Sequence, residues 1–186
     1  IRDSYGTFRG FYPRIMDLDF KVLHISEVIQ RMLQEGSIKL NNKRDMKVTY
    51  HDPCLLGRLS EIYRPWSGEI KPFGYHDPPK QWRRGTHGVY DAPREVLKSI
   101  PGIELLEMTR NEENSFCCGG GGGVPAAFPD FTLWTATERL GEAISTGAES
   151  VVSCCPWCGI NINKAIEQEK VPVSYTHLRA HETKAN

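Results

Sequence analysis

Ser150-Val-Val-Ser-Cys-Cys-Pro-Trp-Cys158 is the stretch of sequence that decides the fold. Its first four residues are rich in β-branched side chains and predict a short buried strand. A turn rich in cysteine follows, and a helix is predicted from about Asn161 to Glu169. A strand, a turn and a helix in this order are typical of an α/β protein with a parallel sheet.

The same order of strand and cysteine turn occurs twice upstream. Lys47–His51 predicts a strand, and Asp52-Pro-Cys54 follows it as a turn. Ile103–Met108 predicts another strand, and Cys117 and Cys118 come after it. We therefore expect a small layered α/β fold whose sheet is mostly parallel.

Three further helices are predicted from the spacing of apolar residues. One lies between His24 and Gly36, and Gly36 would end it with a left-handed cap. Ala92–Ser99 predicts a second helix with a proline near its first turn. Pro129 opens a long helix that ends near Gly147. Alternation of these helices with the strands supports the α/β class.

The segment 61–88 is rich in Pro, Gly and aromatic residues and shows no sustained period, which predicts a long ordered loop. We interpret His76 and His87 within it as surface or interface groups. Arg83-Arg84 is interpreted as solvated charge, with contact to an anionic substrate or an acidic partner surface as the alternative.

Composition excludes several classes of protein. The chain has 186 residues with 23 basic and 23 acidic side chains, so a nucleic-acid partner held by a basic surface is not expected. No apolar stretch approaches the roughly 18 residues of a membrane span. We expect a globular, cytoplasmic protein without a membrane span of its own.

All six cysteines lie at the carboxyl ends of predicted strands or in the turns that follow them. In an open parallel sheet these ends share one edge, so thiols from three distant segments should meet there. The three segments carry Cys54; Cys117 and Cys118; and Cys154, Cys155 and Cys158.

Four interpretations of these cysteines remain open. Buried structural cysteines and disulfides are the first two, although nothing in the chain resembles an export signal. A tetrahedral zinc site is the third, with Cys155 and Cys158 as two ligands. We favour the fourth, an iron–sulfur cluster, because the adjacent thiolates Cys117 and Cys118 could bind different irons of a cluster.

A glycine run follows the adjacent cysteines. Gly119, Gly120 and Gly121 are the predicted cofactor-binding positions, because glycine lets the backbone approach an inorganic core and point N–H groups at sulfur. The run does not end in Gly-Lys-Ser/Thr, so it does not match a phosphate loop. Cys158 stands just before the predicted last helix, whose N-terminal dipole would favour a thiolate.

His51 and Asp52 adjoin Cys54 and are the other candidate site residues. His51 is a candidate proton donor for a thiolate released at the cluster, since an unperturbed histidine titrates near neutral pH. The alternative is a structural hydrogen bond at the end of a strand. No other residue is assigned a catalytic role.

Three motifs carry a resemblance to a known family: His51-Asp-Pro-Cys54, Asn114-Ser-Phe-Cys-Cys-Gly-Gly-Gly-Gly122 and Ser153-Cys-Cys-Pro-Trp-Cys158. They resemble the cysteine-rich CCG domain of heterodisulfide reductase catalytic subunits (the B and D types) and of related iron–sulfur oxidoreductases. The stretch Tyr90–Gly102 is similar to the family's connecting segment, and the resemblance spans about residues 5–168.

The resemblance implies a non-cubane [4Fe-4S] cluster held by five cysteines, with Cys154 as a neighbour that is not a ligand. The implied ligands are Cys54, Cys117, Cys118, Cys155 and Cys158.

The implied function is that of an iron–sulfur oxidoreductase subunit of the heterodisulfide-reductase type, which transfers electrons and reduces a disulfide. Two alternatives are a zinc-stabilised interaction module without redox activity and the electron-transfer subunit of a 2-hydroxy-acid or glycerol-3-phosphate dehydrogenase. Implied partners are a flavin subunit, a ferredoxin-like iron–sulfur subunit or a membrane cytochrome, which would place the chain at the periphery of a membrane complex.

Three regions are expected along the chain. Residues 1–13 resemble the end of a preceding repeat, with Ser4 where the family has cysteine. Residues 14–171 form the CCG domain, with the loop insertion at 61–88. Residues 172–186 resemble a translated sequencing adapter, so we expect a tail that is not native and lies outside the fold.

Overall fold

The computed structural model describes residues 22–61, 66–82 and 84–178. The expectations for residues 1–13, including Ser4, and for Arg83 lie outside these ranges.

Within the described ranges, four strands form one parallel sheet and two short strands form a separate antiparallel pair. The strand order in the parallel sheet is β4 (Ile103–Leu106), β1 (Met46–Tyr50), β5 (Ser150–Ser153), β6 (Ser174–His177). This arrangement confirms the predicted α/β class. The helices are α1 (Ile25–Gln34), α2 (Asp91–Lys98), α3 (Val124–Ala127), α4 (Pro129–Ser145) and α5 (Pro156–Glu169). The strands are β1 (Met46–Tyr50), β2 (Glu69–Ile70), β3 (His76–Asp77), β4 (Ile103–Leu106), β5 (Ser150–Ser153) and β6 (Ser174–His177).

Apolar side chains cover both faces of the parallel sheet. Successive residues of a strand point to opposite faces, so the neighbours Val151 and Val152 on β5 enter different cores. Val151 packs with Leu140 of α4 and Ile162 of α5. Val152 packs with Leu97 of α2 on the other face. The sheet is therefore the middle of three layers, which is the arrangement that buries both of its faces.

Helix α5 begins about five residues earlier than the sequence pattern predicts. Pro156 occupies its first turn, where the fixed backbone angle of proline suits a helix start, and Cys155 is the N-cap residue. Cys158 consequently lies inside the first turn of α5, and the expectation that it precedes the helix is wrong. Apolar periodicity does not reveal this turn, because its residues belong to the cysteine-rich turn of the sequence.

Strand β6 lies in the segment that was expected to stay outside the fold. It pairs in parallel with β5, with Ser150 opposite Ser174, and the Leu178 N–H donates to the Ser153 carbonyl at 2.9 Å. The phenol of Tyr175 donates to the Cys155 carbonyl at 3.3 Å. The resemblance of this segment to an adapter stays a prediction, but its residues complete the sheet edge beside the cysteine turn.

The long loop contains more structure than its composition predicts. Strands β2 and β3 form a two-residue antiparallel pair, and His76 lies between two indole rings. The centroid of its imidazole is 4.7 Å from that of Trp66 and 5.4 Å from that of Trp82. His87 and Arg84 are exposed, as predicted for surface groups.

The two-sided core predicts a sharp difference between two isoleucines of α5. Ile162 is 1% exposed in the core, whereas Ile160 is 51% exposed. We expect Ile162→Ala to lower the free energy of unfolding by about 2–5 kcal/mol, because it leaves a cavity. The control Ile160→Ala should change it by less than about 0.5 kcal/mol. Chemical denaturation measures both values, and equal losses would contradict the assigned orientation of α5.

Candidate metal centre

Five of the six thiols form one connected set at the carboxyl edge of the sheet. The Sγ atoms of Cys118 and Cys158 lie 3.2 Å apart. Cys117 interacts through its thiol with both Cys54 and Cys118, and Cys158 interacts with Cys155. The set therefore runs without a break from the turn after β1, through the loop after β4, to the start of α5.

Cys154 lies apart from this set, on the other face of the sheet. Its Sγ accepts a hydrogen bond from the Tyr50 hydroxyl at 3.3 Å. It packs against the core that contains Val48, Leu97 and Val152, whereas Cys155 packs against the opposite core. Adjacent residues at the end of a strand point in opposite directions, which explains the separation of Cys154 from Cys155.

The glycine run donates backbone hydrogen bonds to sulfur atoms and lets the loop pack closely on α5. The N–H groups of Gly119 and Gly120 donate to the Sγ atoms of Cys117 and Cys118 at 3.3 and 3.4 Å. A Cβ on Gly120 would lie 2.7 Å from the Trp157 carbonyl, so this position needs glycine for its contact with α5. Gly121 has open space around it, with nothing within 4 Å of an added Cβ.

Contacts within the set lower the pKa of some thiols and raise the pKa of others. Hydrogen bonds from Cys117 and Cys158 lower the pKa of Cys118 to about 4, against the opposing effect of burial. The Cys158 thiol and the first N–H groups of α5 lower the pKa of Cys155 to about 6. Cys158 itself has its pKa raised by the same contacts with Cys118 and Cys155. The environment thus favours negative charge on Cys118 and Cys155 over Cys158.

A buried ion pair joins the Cys54 turn to the loop that carries Cys117. The Arg94 guanidinium binds the Asp52 carboxylate with two hydrogen bonds of 2.7 and 2.8 Å. The same Asp52 carboxylate accepts the N–H of Glu112 at 2.9 Å. Arg94 also binds Glu107 just after β4, at 2.8 Å. One guanidinium from α2 therefore fixes the two loops relative to each other.

A second buried arginine, Arg139 of α4, makes the same kind of connection. Its Nε donates to His51 Nδ1 at 3.0 Å, and its Nη2 donates to the Ser115 hydroxyl at 3.3 Å. Its Nη1 donates to the carbonyl of Arg110 at 2.8 Å. The His51 ring and the backbone just before Cys117 are thus held by one side chain that is 1% exposed.

Sequence reasoning missed both arginines. Each lies in the interior of a correctly predicted helix, where arginine is usually a solvated surface residue. The pattern that could have identified Arg139 is its position within the apolar stripe that Ala136, Leu140 and Ala143 form. A charged residue on the buried face of a helix must find a partner, and that requirement points to a polar network.

His51 is fully buried and lies against the thiol set. Its backbone N–H donates to the Val152 carbonyl at 2.8 Å. A ring nitrogen of His51 and the Sγ atoms of Cys118 and Cys158 all lie within 4.8 Å of one another. Burial, followed by the positive charge of Arg139, lowers the pKa of His51 to about 3. Its role as a proton donor stays a prediction.

The donor set fits an iron–sulfur cluster better than a single metal ion. Five thiols exceed the four positions of a tetrahedral zinc site, and two of the five are neighbours in sequence. Several irons can share five sulfurs among them, and N–H donors to the sulfurs are typical of such sites. Cys117 is exposed while Cys118 and Cys158 are buried, so one side of the set is accessible from solvent.

Comparison with known proteins places two of the three cysteine motifs, those of Cys117–Cys118 and Cys154–Cys158, in an existing family. Residues 73–163 match the family model described as a cysteine-rich domain, CCG. The D subunit of the dihydromethanophenazine:CoB–CoM heterodisulfide reductase of Methanosarcina mazei is 36% identical over 171 residues, covering 89% of this chain and 35% of that protein. The chain thus spans about a third of the length of this curated relative.

Two further relatives carry different names. The B subunit of the fumarate reductase (CoM/CoB) of Methanothermobacter marburgensis is 30% identical, covering 88% of this chain and 27% of that protein. The probable iron–sulfur-binding oxidoreductase FadF of Bacillus subtilis is 30% identical, covering 83% of this chain and 18% of that protein. Residues 73–163 thus belong to the cysteine-rich CCG domain family, and the resemblance found in the motifs is confirmed.

In the part of the chain that the structure describes, no helix combines the length and the apolar character that crossing a bilayer requires.

The packing of the glycine run predicts a destabilised Gly120→Ala variant. The new methyl group would press on the backbone of α5, which should cost about 1–3 kcal/mol of unfolding free energy, although the N–H donor remains. As control, Gly141→Ala lies in α4 with nothing within 4 Å and should stabilise by about 0.5–1 kcal/mol. Thermal and chemical denaturation measure the unfolding free energy of each variant. A neutral Gly120→Ala would show that the loop does not pack on α5 this closely.

The buried ion pair predicts a large loss of stability when one partner is removed. Arg94→Ala leaves the Asp52 carboxylate buried without its cation, so we expect a loss of about 3–5 kcal/mol of unfolding free energy. The control Lys43→Ala removes the exposed pair with Asp45 and should cost less than about 1 kcal/mol. Similar losses in the two variants would contradict the structural role of Arg94.

Proposed function

We propose that this chain is the cluster-binding domain of an iron–sulfur oxidoreductase subunit of the heterodisulfide-reductase type. The observation that carries the proposal is the connected set of five thiols from three distant segments, from which Cys154 is separated. The proposed ligands are Cys54, Cys117, Cys118, Cys155 and Cys158. The names of the relatives support a redox role for proteins that share this domain.

The cofactor that we propose is a [4Fe-4S] cluster of the non-cubane type. When bound, such a cluster would accept and release single electrons and let a two-electron reaction proceed in two steps. Reduction of a disulfide consumes two electrons and two protons and yields two thiols. We propose a disulfide as the substrate, and further redox subunits as the source of the electrons.

The residues of the chain contribute binding, orientation and charge. The Gly119 and Gly120 N–H groups donate to ligand sulfurs and disperse their negative charge. Arg94 and Arg139 hold the first two ligand segments in register. The exposed side at Cys117 offers the approach for a substrate or an electron-transfer partner.

The electron-transfer subunit of a dehydrogenase remains a second candidate function. The observation that favours it is that relatives of similar identity carry the names of different redox proteins, among them a fumarate reductase. The partners that we propose for either function are a flavin subunit, a ferredoxin-like iron–sulfur subunit or a membrane cytochrome. A cytoplasmic location at the periphery of a membrane complex is part of the same proposal.

The test of the proposed function is the metal content of the protein after anaerobic purification and reconstitution. We expect about four irons with matching acid-labile sulfide per chain, and an EPR signal that changes on stepwise oxidation. One zinc per chain without iron or sulfide would overturn the proposal in favour of a zinc-stabilised interaction module.

Variants of neighbouring cysteines test the ligand assignment. Cys118→Ser and Cys155→Ser should lose most of the bound iron, because each removes a thiol of the connected set. Cys154→Ser should retain the iron, because its Sγ contacts Tyr50 on the other face of the sheet. The iron and acid-labile sulfide contents of the three purified variants show which cysteines are ligands. Equal loss in all three would make Cys154 a ligand.

A further inference from the structure

The imidazole of His51 has one nitrogen with a partner and one without. The side chain is 0% exposed. Its Nδ1 accepts a hydrogen bond from Arg139 Nε at 3.0 Å. Its Nε2 is buried and has no hydrogen-bond partner among the described residues.

The contact with Arg139 determines where the imidazole carries its proton. A guanidinium only donates hydrogen bonds, so Nδ1 must offer its lone pair. The proton of the ring therefore resides on Nε2, which makes Nε2 a hydrogen-bond donor. The orientation of the Arg139 side chain is fixed, because its guanidinium also donates hydrogen bonds to Ser115, Glu142 and the carbonyl of Arg110.

A buried N–H without an acceptor is destabilising, and such groups are rare in native proteins. The ring lies against the candidate metal centre, with a nitrogen and the sulfurs of Cys118 and Cys158 within 4.8 Å of one another. Since Arg139 occupies Nδ1, Nε2 is the nitrogen available to this sulfur site. The missing acceptor is thus to be found among the sulfurs of the site.

We propose that His51 donates an Nε2–H hydrogen bond to a sulfur of the bound cluster and is not itself a metal ligand. The proposal rests on the proposed function, because the acceptor is a sulfur of the loaded site. His51 acts here as a positioning and tuning residue, and Arg139 fixes its tautomer.

The same contact excludes the alternative in which His51 binds a metal ion. Ligation through Nε2 would need its lone pair, and the neutral ring would then carry its proton on Nδ1. That proton would face the Arg139 Nε–H at 3.0 Å, so two donors would oppose each other. A tetrahedral zinc site that uses His51 with Cys118 and Cys158 conflicts with this geometry.

A hydrogen bond to sulfur has a measurable electronic consequence. It draws negative charge from the sulfur, so the reduced, more negative state of the site gains more than the oxidised state. Removing the donor should therefore lower the reduction potential. The Gly119 and Gly120 N–H groups belong to the backbone and remain in any side-chain variant. The side-chain donors that mutation can remove are His51 and Arg58, whose Nη2 donates to the Cys54 Sγ at 3.3 Å.

The first test is pulsed EPR on the iron-loaded chain labelled with ¹⁵N-histidine, with His51→Gln as the control that assigns the signal to His51. We expect a weak ¹⁵N coupling, of the size that a hydrogen bond transmits, and its loss in His51→Gln. A strong coupling typical of a directly bound imidazole would overturn the proposal. The absence of any histidine coupling would also overturn it.

The second test compares the reduction potentials of two variants with that of the unmodified protein. His51→Leu removes the donor and should shift the potential downward. His51→Gln keeps an amide N–H near the position of Nε2 and should shift it less. Equal shifts in both variants would show that the loss of the ring volume, and not of the N–H, controls the potential.

Iron and sulfide analysis of the same samples separates the two possible failures. A protein that binds no iron and no sulfide would refute the proposed function. A protein that binds both, but shows no histidine coupling, would refute the role of His51 alone.

Discussion

The geometry of the candidate metal centre depends on the buried ion pair between Arg94 and Asp52. Asp52 stands two residues before Cys54, and its carboxylate also binds the backbone of the loop that leads to Cys117. A single charged contact thereby fixes the relation between two segments of proposed ligands that the chain separates by more than sixty residues. Arg139 adds a second connection between these segments, through His51 and Ser115.

This arrangement explains why the site contains buried charge. Burying an ion pair costs desolvation energy, and such a pair often adds little net stability compared with apolar packing. Its advantage here is directional: a bidentate guanidinium fixes both distance and orientation, which apolar contacts do not. In the turn that carries Cys54, Leu55 and Leu59 are exposed and do not anchor the backbone in a core. Charged hydrogen bonds therefore supply the positional precision that the proposed set of sulfur ligands requires.

Much of the fold followed from the sequence, because its determinants are local. The β-branched run at β5 and the apolar stripes of α1, α2 and α4 predicted those elements within a few residues. The start of α5 was predicted too late, because Pro156 and Cys158 were assigned to a loop. Strand β6 was excluded because its segment resembles an adapter; its own sequence, Ser174-Tyr-Thr-His177, is compatible with a strand.

The candidate site was predictable in part, for a similar physical reason. Cysteines at the ends of parallel strands must share one edge of the sheet, so the convergence of the thiols could be inferred from topology. The separation of Cys154 from Cys155 follows from the alternation of strand side chains. The contacts of Arg94 and Arg139 join residues far apart in sequence, and no local pattern specifies such partners.

The central claim is that five cysteines form one site and that Cys154 is outside it. Anaerobic alkylation followed by mass spectrometry tests it directly, with each cysteine compared in the iron-loaded and the metal-free chain. The account predicts that Cys54, Cys117, Cys118, Cys155 and Cys158 gain protection together on loading, while the reactivity of Cys154 stays unchanged. Protection of Cys154 together with the others, or of only some of the five, would contradict it.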